Sequence, residues 1–394
     1  MQALDCHLPA FRKTFVKNFC SVCCPADALL NKSYIRNKMD HNQMEIQPWP
    51  QEGLERVESC PICGEVDREL LYEGLTDRVF FCAPGRWSLY RCMACGSAFL
   101  DPRPTPATIA MAYNIYFTHD DGVEGAKGLF GSLKRRLRNG YINGLYNKNI
   151  QPASKIGHLI TSLLPPKRRQ IDESVRHLPT TRPPGTLVDI GCGNGQFLRM
   201  AMQLGWQTWG VDIDPKAVAT ARKTGAKVIH GGFPDTGLPS QHFDLVTLSH
   251  VIEHVHDPIA ALQEVFRILK PGGQIWISTP NMESGSHARF GPTWLALDSP
   301  RHLVIFTRQS LKTALISAGF SDVDYKPCPM HATEIFKNSL RISRGEDPFG
   351  SEESKLPLFL YFEAKLADFQ ALLNPSLCEN IIATAKKSNL SQVV

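Results

Sequence analysis

Two pairs of cysteines carry the most specific chemical signal in the chain. Cys60-Pro61-Ile62-Cys63-Gly64 and Cys92-Met93-Ala94-Cys95-Gly96 form two CxxC turns with 28 residues between them, each followed by glycine. In such a knuckle the turn presents two thiolates and the glycine relieves the backbone. Four sulfurs then fill a tetrahedral zinc site with no open position, which suits a structural ion. Iron–sulfur binding, redox chemistry and accidental pairing are the other readings of the spacing. Cys20, Cys23 and Cys24 have no partner pair close behind them and read as bystanders. Twelve cysteines in 394 residues, four of them in CxxC pairs, fit a reduced metal-binding protein better than a disulfide scaffold, and so a cytoplasmic one.

A second constellation lies further along. Gly191, Gly193 and Gly195 in LVDIGCGNGQFL follow an apolar run and precede a helical one. Glycines there let the chain turn sharply and let a ligand approach the main chain without a Cβ in the way. The spacing GCGNG differs from GxGxxG and tells against a pyrophosphate cradle. About 17 residues on, Asp212 ends the next apolar run, where a carboxylate can accept both hydroxyls of a ribose. Its other reading, a cap for the helix opening at Pro215, falls more naturally to Asp214. His254, in HVIEHVHDP, has the ordinary pKa of a general base, about 6.5, or is a hydrogen-bonded structural histidine. His250, Glu253 and His254 also spell HxxEH, a zinc-peptidase pattern when it lies on a helix; its place in a loop after a strand disfavours that reading.

These groups need elements to position them. Between residues 181 and 330 compact apolar runs alternate with amphipathic ones, the signature of βαβ units and a parallel sheet. Strands are expected at Thr186–Ile190, Gln207–Val211, Lys227–His230, Phe243–Ser249 and Gly273–Thr279. Helices are expected at Gln196–Leu204, Pro215–Thr224 and Pro258–Leu269, two of them opening on a proline that the first turn tolerates. Lys270-Pro271-Gly272-Gly273 supplies the stop for the third helix. Before this domain lie a segment of 1–50 without regular patterning, a Cys-, Gly- and Pro-rich module at 51–108, and a helical, basic connector or lid at 109–180. After it, 331–394 reads as a helical extension, with apolar spacing across Leu356–Leu373. A formal charge of +5 is mild, and the basic runs Lys134–Arg138 and Lys167–Arg169 lack interleaved aromatics, which argues against a nucleic-acid partner. No stretch reaches the roughly 18 uncharged apolar residues of a membrane span.

Taken in order, VDIGCGNG, GVDIDP, FDLVTLSHVIEHVHDP and LKPGGQIWISTPN resemble the successive motifs of the class I S-adenosylmethionine-dependent methyltransferases, and most closely the group that includes the ubiquinone-biosynthesis O-methyltransferases. The resemblance covers about residues 185 to 330. It implies an α/β, Rossmann-like seven-stranded sheet. It places Asp189, Gly191, Gly193 and Gly195 around the methionine part of the cofactor, Asp212 on its ribose, Gly232 and Phe233 beside its adenine, and Ser249 and His250 under its sulfonium. In that group the position of His250 is typically acidic and joins the following Glu-His pair in a divalent-metal site; His250 departs from this, and Mg²⁺ prefers carboxylates and water over imidazole. Asp298 to Leu303 with Phe306-Thr307 and Ser310-Leu311 resembles the acceptor-side insertion, so Arg301 and His302 are expected to meet the acceptor and Trp294 to wall its pocket, unless they cap the helix starting near Thr307. The stretch around Cys60 to Pro104 resembles the zinc-binding domain ahead of some small-molecule and sugar methyltransferases. The combined expectation is methylation of a small molecule, on an oxygen of a glycan, quinone-like or lipid-like metabolite. The alternatives are an RNA or protein methyltransferase docking through the zinc ribbon, or a non-catalytic binding module. The absence of an NPPY- or DPPY-type loop counts against base amino groups. The oligomeric state is left open.

Overall fold

A computed structural model of the chain describes residues 47–113, 129–350 and 355–388. The expected extension of 1–50, with Cys20, Cys23 and Cys24, lies outside the described residues except for its end, where Trp49 packs edge-on against Trp87 at 5.3 Å.

The cysteine module is built from β1 (Leu54–Glu55), β2 (Arg68–Leu75), β3 (Trp87–Cys92), β4 (Ala98–Leu100) and β5 (Arg103–Pro104). The connector supplies α1 (Leu129–Tyr146), α2 (Gly157–Ser162) and α3 (Pro165–Ser174). The α/β domain then runs β6 (Thr186–Ile190), α4 (Gln196–Gln203), β7 (Gln207–Asp212), α5 (Pro215–Arg222), β8 (Lys227–His230), β9 (Phe243–Ser249), α6 (Pro258–Ile268) and β10 (Leu269–Pro280). It continues through α7 (Gly285–Phe290), β11 (Val304–Ile305), α8 (Arg308–Ser317), β12 (Ser321–Tyr325), α9 (Ala332–Ser343), α10 (Leu358–Leu373) and β13 (Asn380–Lys386).

The main sheet has seven strands in the order β12-β13-β10-β9-β6-β7-β8. Neighbouring strands from β8 to β10 run parallel. Being covered on both faces, they read as nearly continuous apolar runs rather than alternating ones. The helices begin where local chemistry dictates: Asp214 and Asp257 accept the Lys216 and Ala260 N–H groups at 2.9 Å, ahead of Pro215 and Pro258. Thr307 and Ser310 form a reciprocal capping box at the start of α8.

Two features differ from the sequence-based expectation. The turn Lys270–Gly273 lies inside β10 as a register shift against β9 between Leu269 and Gln274, where Gly272 at φ +74° bends the strand before pairing resumes. The segment 331–394, expected to be helical, also contributes β13, which inserts antiparallel between β10 and β12. Its residues Ile381, Ile382, Ala383 and Ala385 are buried on both faces, a short apolar run that a helical reading of the extension passed over.

The cysteine module is not a separate bead. Its second sheet, ordered β11-β4-β3-β2, takes β11 from the segment after β10. The Thr307 hydroxyl donates to the Cys95 carbonyl at 3.0 Å, and Arg103 donates to the His256 carbonyl at 2.9 Å. The module therefore sits against the loops that follow β9 and β10.

Candidate functional site

The loops that follow β6, β7, β8 and β9 leave the carboxyl ends of four adjacent parallel strands, the edge at which open α/β sheets bind ligands. After β6, Gly191, Gly193 and Gly195 all have positive φ (71°, 52° and 77°). A Cβ on Gly191 would meet Val251 at 2.5 Å, and one on Gly195 would meet the Ala221 Cα at 3.0 Å, so these two are glycine because the protein itself comes close. A Cβ on Gly193 would meet nothing within 4 Å. That open side is a cradle for a ligand lying against the main chain.

Asp212, at the end of β7, is buried and accepts the Gly193 N–H at 2.8 Å and the Asp214 N–H at 2.9 Å, one on each carboxylate oxygen. Each oxygen keeps a further lone pair, enough for two ribose hydroxyls. Burial pushes the Asp212 pKa up, opposed by the two backbone donors. Gly232 and the half-buried Phe233 follow β8, and Ser249 ends β9. His250, at φ +53°, turns the chain there and ties its Nδ1 to Glu253 Oε1 at 3.1 Å. The residues thus fit an adenosyl ligand with a ribose and an adjoining chain.

Asp189 lies one residue before the end of β6. It is fully buried within β6, where Oδ1 takes Arg176 Nη1 and the Thr247 hydroxyl, the latter at 2.8 Å. An ionised group inside a strand needs a buried counter-ion, and Arg176, after α3, supplies it while stacking on Phe197 at 4.1 Å. Arg176 was not singled out in the sequence; the acid within an apolar strand was its only signal. Asp189 therefore fastens the connector to the sheet through Oδ1, while its Oδ2 has no hydrogen-bond partner among the described residues.

Arg301, expected to meet the acceptor, is corrected. It is fully buried, and its five N–H donors are all taken. Nε reaches Asp298 at 3.0 Å, Nη1 reaches Asp77 Oδ2 at 3.0 Å and the Ala112 carbonyl at 2.8 Å, and Nη2 reaches Asp77 Oδ1 at 2.5 Å and Asp298 Oδ1 at 2.6 Å. No donor remains for an acceptor molecule. Arg301 instead pins the cysteine module, through Asp77, to the α/β domain. Trp294 lies in the core rather than on an open wall, 2% exposed, yet its indole N–H has no acceptor among the described residues.

His254 and His302 are stacked edge-to-face at 4.6 Å. The Arg301 carbonyl lies 3.0 Å from His254 Nδ1 and the Ala296 carbonyl 2.8 Å from His302 Nδ1. A carbonyl only accepts, so each Nδ1 carries its proton and each Nε2 keeps a lone pair. The Tyr113 hydroxyl also lies 3.1 Å from His254 Nδ1. Burial, helped by His302, lowers the His254 pKa to about 4 and keeps the ring neutral at ordinary pH. Burial pushes Glu253 the other way, but the His250 hydrogen bond and the neighbouring imidazoles hold it down at about 2. Ligand atoms of Glu253, His254 and His302 lie within 4.8 Å of one another. Two neutral imidazoles and one carboxylate are a donor set for a first-row transition ion rather than for Mg²⁺.

The four cysteines converge as their spacing implied. Cys60 and Cys95 sulfurs are 3.6 Å apart, Cys63 and Cys92 sulfurs 3.5 Å, and all four lie within 4.8 Å. Gly64 and Gly96 follow at positive φ (76° and 73°), each donating its N–H back to the carbonyl of the first cysteine of its pair. Four sulfurs with no other ligand fit a closed tetrahedral ion.

Residues 166–325 match the model of a methyltransferase domain family. A malonyl-[acyl-carrier protein] O-methyltransferase of Serratia marcescens is 31% identical over 141 residues, 35% of this chain and 54% of that protein. A ubiquinone biosynthesis O-methyltransferase of Aromatoleum aromaticum is 33% identical over 102 residues, 24% of this chain and 44% of that protein. The chain spans about half the length of the curated relatives it matches. A solved S-adenosylmethionine-dependent methyltransferase of Mesorhizobium loti superposes with a TM-score of 0.36 at 21% identity, over 54% of this chain and 96% of that one. The motifs, the sheet order and the family match agree that residues 166–325 form a methyltransferase domain.

Proposed function

We propose that the protein transfers a methyl group from S-adenosylmethionine to a hydroxyl oxygen of a small molecule. The observation that carries this reading is the Gly193–Asp212 cradle at the carboxyl edge of the sheet, together with Glu253 and His254, which follow β9 and gather with His302. Gly191, Gly193, Gly195 and Asp212 hold the cofactor, with Gly232 and Phe233 at its adenine end and Ser249 and His250 at its sulfonium end. S-adenosylmethionine supplies, when bound, a methyl group already activated for displacement. The chain's own share is positioning and proton removal, which dominate the rate of an in-line transfer. His254, neutral and fixed by the Arg301 carbonyl, takes the hydroxyl proton at Nε2 as the oxygen begins to bond to the methyl carbon. His302 orients that ring. The malonyl-[acyl-carrier protein] and ubiquinone-biosynthesis relatives are both named as O-methyltransferases, which favours oxygen as the nucleophile. The cysteine cluster holds a structural Zn²⁺ that keeps Tyr113 and Asp77 against the site.

Calorimetric titration with S-adenosylmethionine and S-adenosylhomocysteine tests the reading, alongside Asp212→Ala. Losing two hydrogen bonds to a charged group weakens binding by roughly a hundredfold or more. A folded protein that binds neither ligand, or an Asp212→Ala variant that binds both as well as the parent, would overturn it.

A further inference from the structure

Residues 129–171 contain nine lysines and arginines and no aspartate or glutamate, while the whole chain carries a formal charge of only +5. Everything outside this segment is therefore net acidic. The fold gathers the segment into one arm. α1 and α2 cross at Gly140 and Gly157, where a Cβ on Gly140 would lie 2.2 Å from the Ser154 carbonyl oxygen and 3.0 Å from the Gly157 Cα. The Ser154 N–H donates to the Arg136 carbonyl at 2.8 Å, which sets Lys155 and Ile156 beside the first basic run. α3 then brings the second run back to the first: burial, and after it the nearby charge of Lys167, lower the pKa of Lys134.

The same arm exposes aliphatic side chains. α2 turns Gly157 and Thr161 inward, so Ile156, Leu159 and Leu163 lie on its outer side. They are 60%, 63% and 72% exposed, with Leu133 at 53% and Leu164 at 48% beside them. Lys134, Lys155 and Lys167 are exposed too. Single exposed leucines are ordinary, but five exposed large aliphatic groups and three exposed lysines on one arm of three helices are more than scatter.

We propose that the α1–α3 arm docks on an anionic phospholipid bilayer, its leucines entering the boundary between headgroups and acyl chains and its lysines and arginines meeting the phosphates. Aliphatic groups beside cations suit that interface. A single-stranded nucleic acid asks instead for aromatic faces on which bases stack; among the arm's described side chains, Tyr141 is buried and stacked on His158, and Tyr146 is half-buried with its hydroxyl on the Leu178 carbonyl. The inference goes beyond the transfer reading and rests on none of its residues.

Flotation of the full chain with vesicles of phosphatidylcholine containing phosphatidylglycerol, against pure phosphatidylcholine, tests it. Binding is expected on the anionic vesicles and not on the neutral ones. Lys134→Gln, Lys155→Gln and Lys167→Gln together should weaken it about a hundredfold, and Leu159→Ser with Leu163→Ser at least tenfold. Thermal melting should be unchanged, since all five positions are exposed, and S-adenosylmethionine affinity should be unchanged too. Absence of binding to anionic vesicles at low salt would overturn the proposal. So would full vesicle binding by the leucine variant, or tighter binding to an RNA oligonucleotide that the leucine variant leaves intact, either of which would make the arm a general polyanion site.

Discussion

Replacing Arg301 with methionine separates a structural pin from an acceptor contact. The substitution keeps most of the side-chain volume but removes a guanidinium whose five donors reach Asp77, Asp298 and the Ala112 carbonyl. Asp77 retains N–H donors from Val79, Phe80, Cys82 and Ala83 at 2.9 to 3.2 Å but loses the guanidinium that holds its pKa down against burial. Asp298, whose pKa burial already raises, takes up a proton or remains as an uncompensated charge. Removing one partner from a buried ion pair costs about 3–5 kcal/mol, and at about 2–4 °C per kcal/mol the melting temperature should fall by roughly 10 °C. Calorimetric melting of the parent and variant at pH 7 measures this, with S-adenosylmethionine affinity as a control expected to stay within a factor of about three, since no cofactor loop is touched. Adding Asp77→Asn and Asp298→Asn should recover part of the loss, because a buried network with both charges removed costs less than half of one. A melting temperature within about 1 °C of the parent would refute the assignment and return Arg301 to the acceptor pocket.

Gly193→Ala places a Cβ in open space at φ +52°, so it should cost only about 1–2 kcal/mol of stability while sharply weakening S-adenosylmethionine binding, read by titration of a protein that still melts cooperatively. Glu379, buried against the Ser286 hydroxyl and its N–H, has its pKa raised by burial to about 7 from an ordinary 4.5. The folded state thus binds the proton more tightly, so this stabilisation is complete below about pH 4.5 and is lost, by about 3 kcal/mol, as pH rises through 7; Glu379→Gln should abolish that slope between pH 5 and 8 in melting curves, and an unchanged slope would contradict it. One zinc per chain is expected by metal analysis, and stripping it with a chelator, or Cys63→Ser, should lower the melting temperature and loosen the module more than the sheet, measured by hydrogen exchange across Trp87–Leu100; a metal-free protein of equal stability would discount the ion.

Much of the α/β domain was legible because its signals are local. Proline at the first turn, aspartate just before it, glycine at positive φ and an apolar run of five or six residues each act within a few positions, so the strands from Thr186 to Ser249 and the helices opening at Pro215 and Pro258 follow from the chain itself. Asp214 as the cap and Asp212 as the free-standing acid were separable for the same reason. β13 was missed because a seven-residue strand inserted from a distant extension has no local mark that distinguishes it from a buried helix segment.

The sequence by itself determined the glycine turn, the acid after β7 and the two knuckles, since spacing alone dictates where those backbones bend and which atoms they present. Only the tertiary structure decided what the charged residues do. Arg301 and Asp77 are 224 positions apart, and nothing near either announces the other; Asp189 meets Arg176 inside the sheet, a pairing that its place in the sequence did not announce. The two basic runs looked short and scattered, yet α1 and α3 bring Lys134 and Lys167 near one another. Charges act through space, and their partners are set by packing that sequence spacing does not encode.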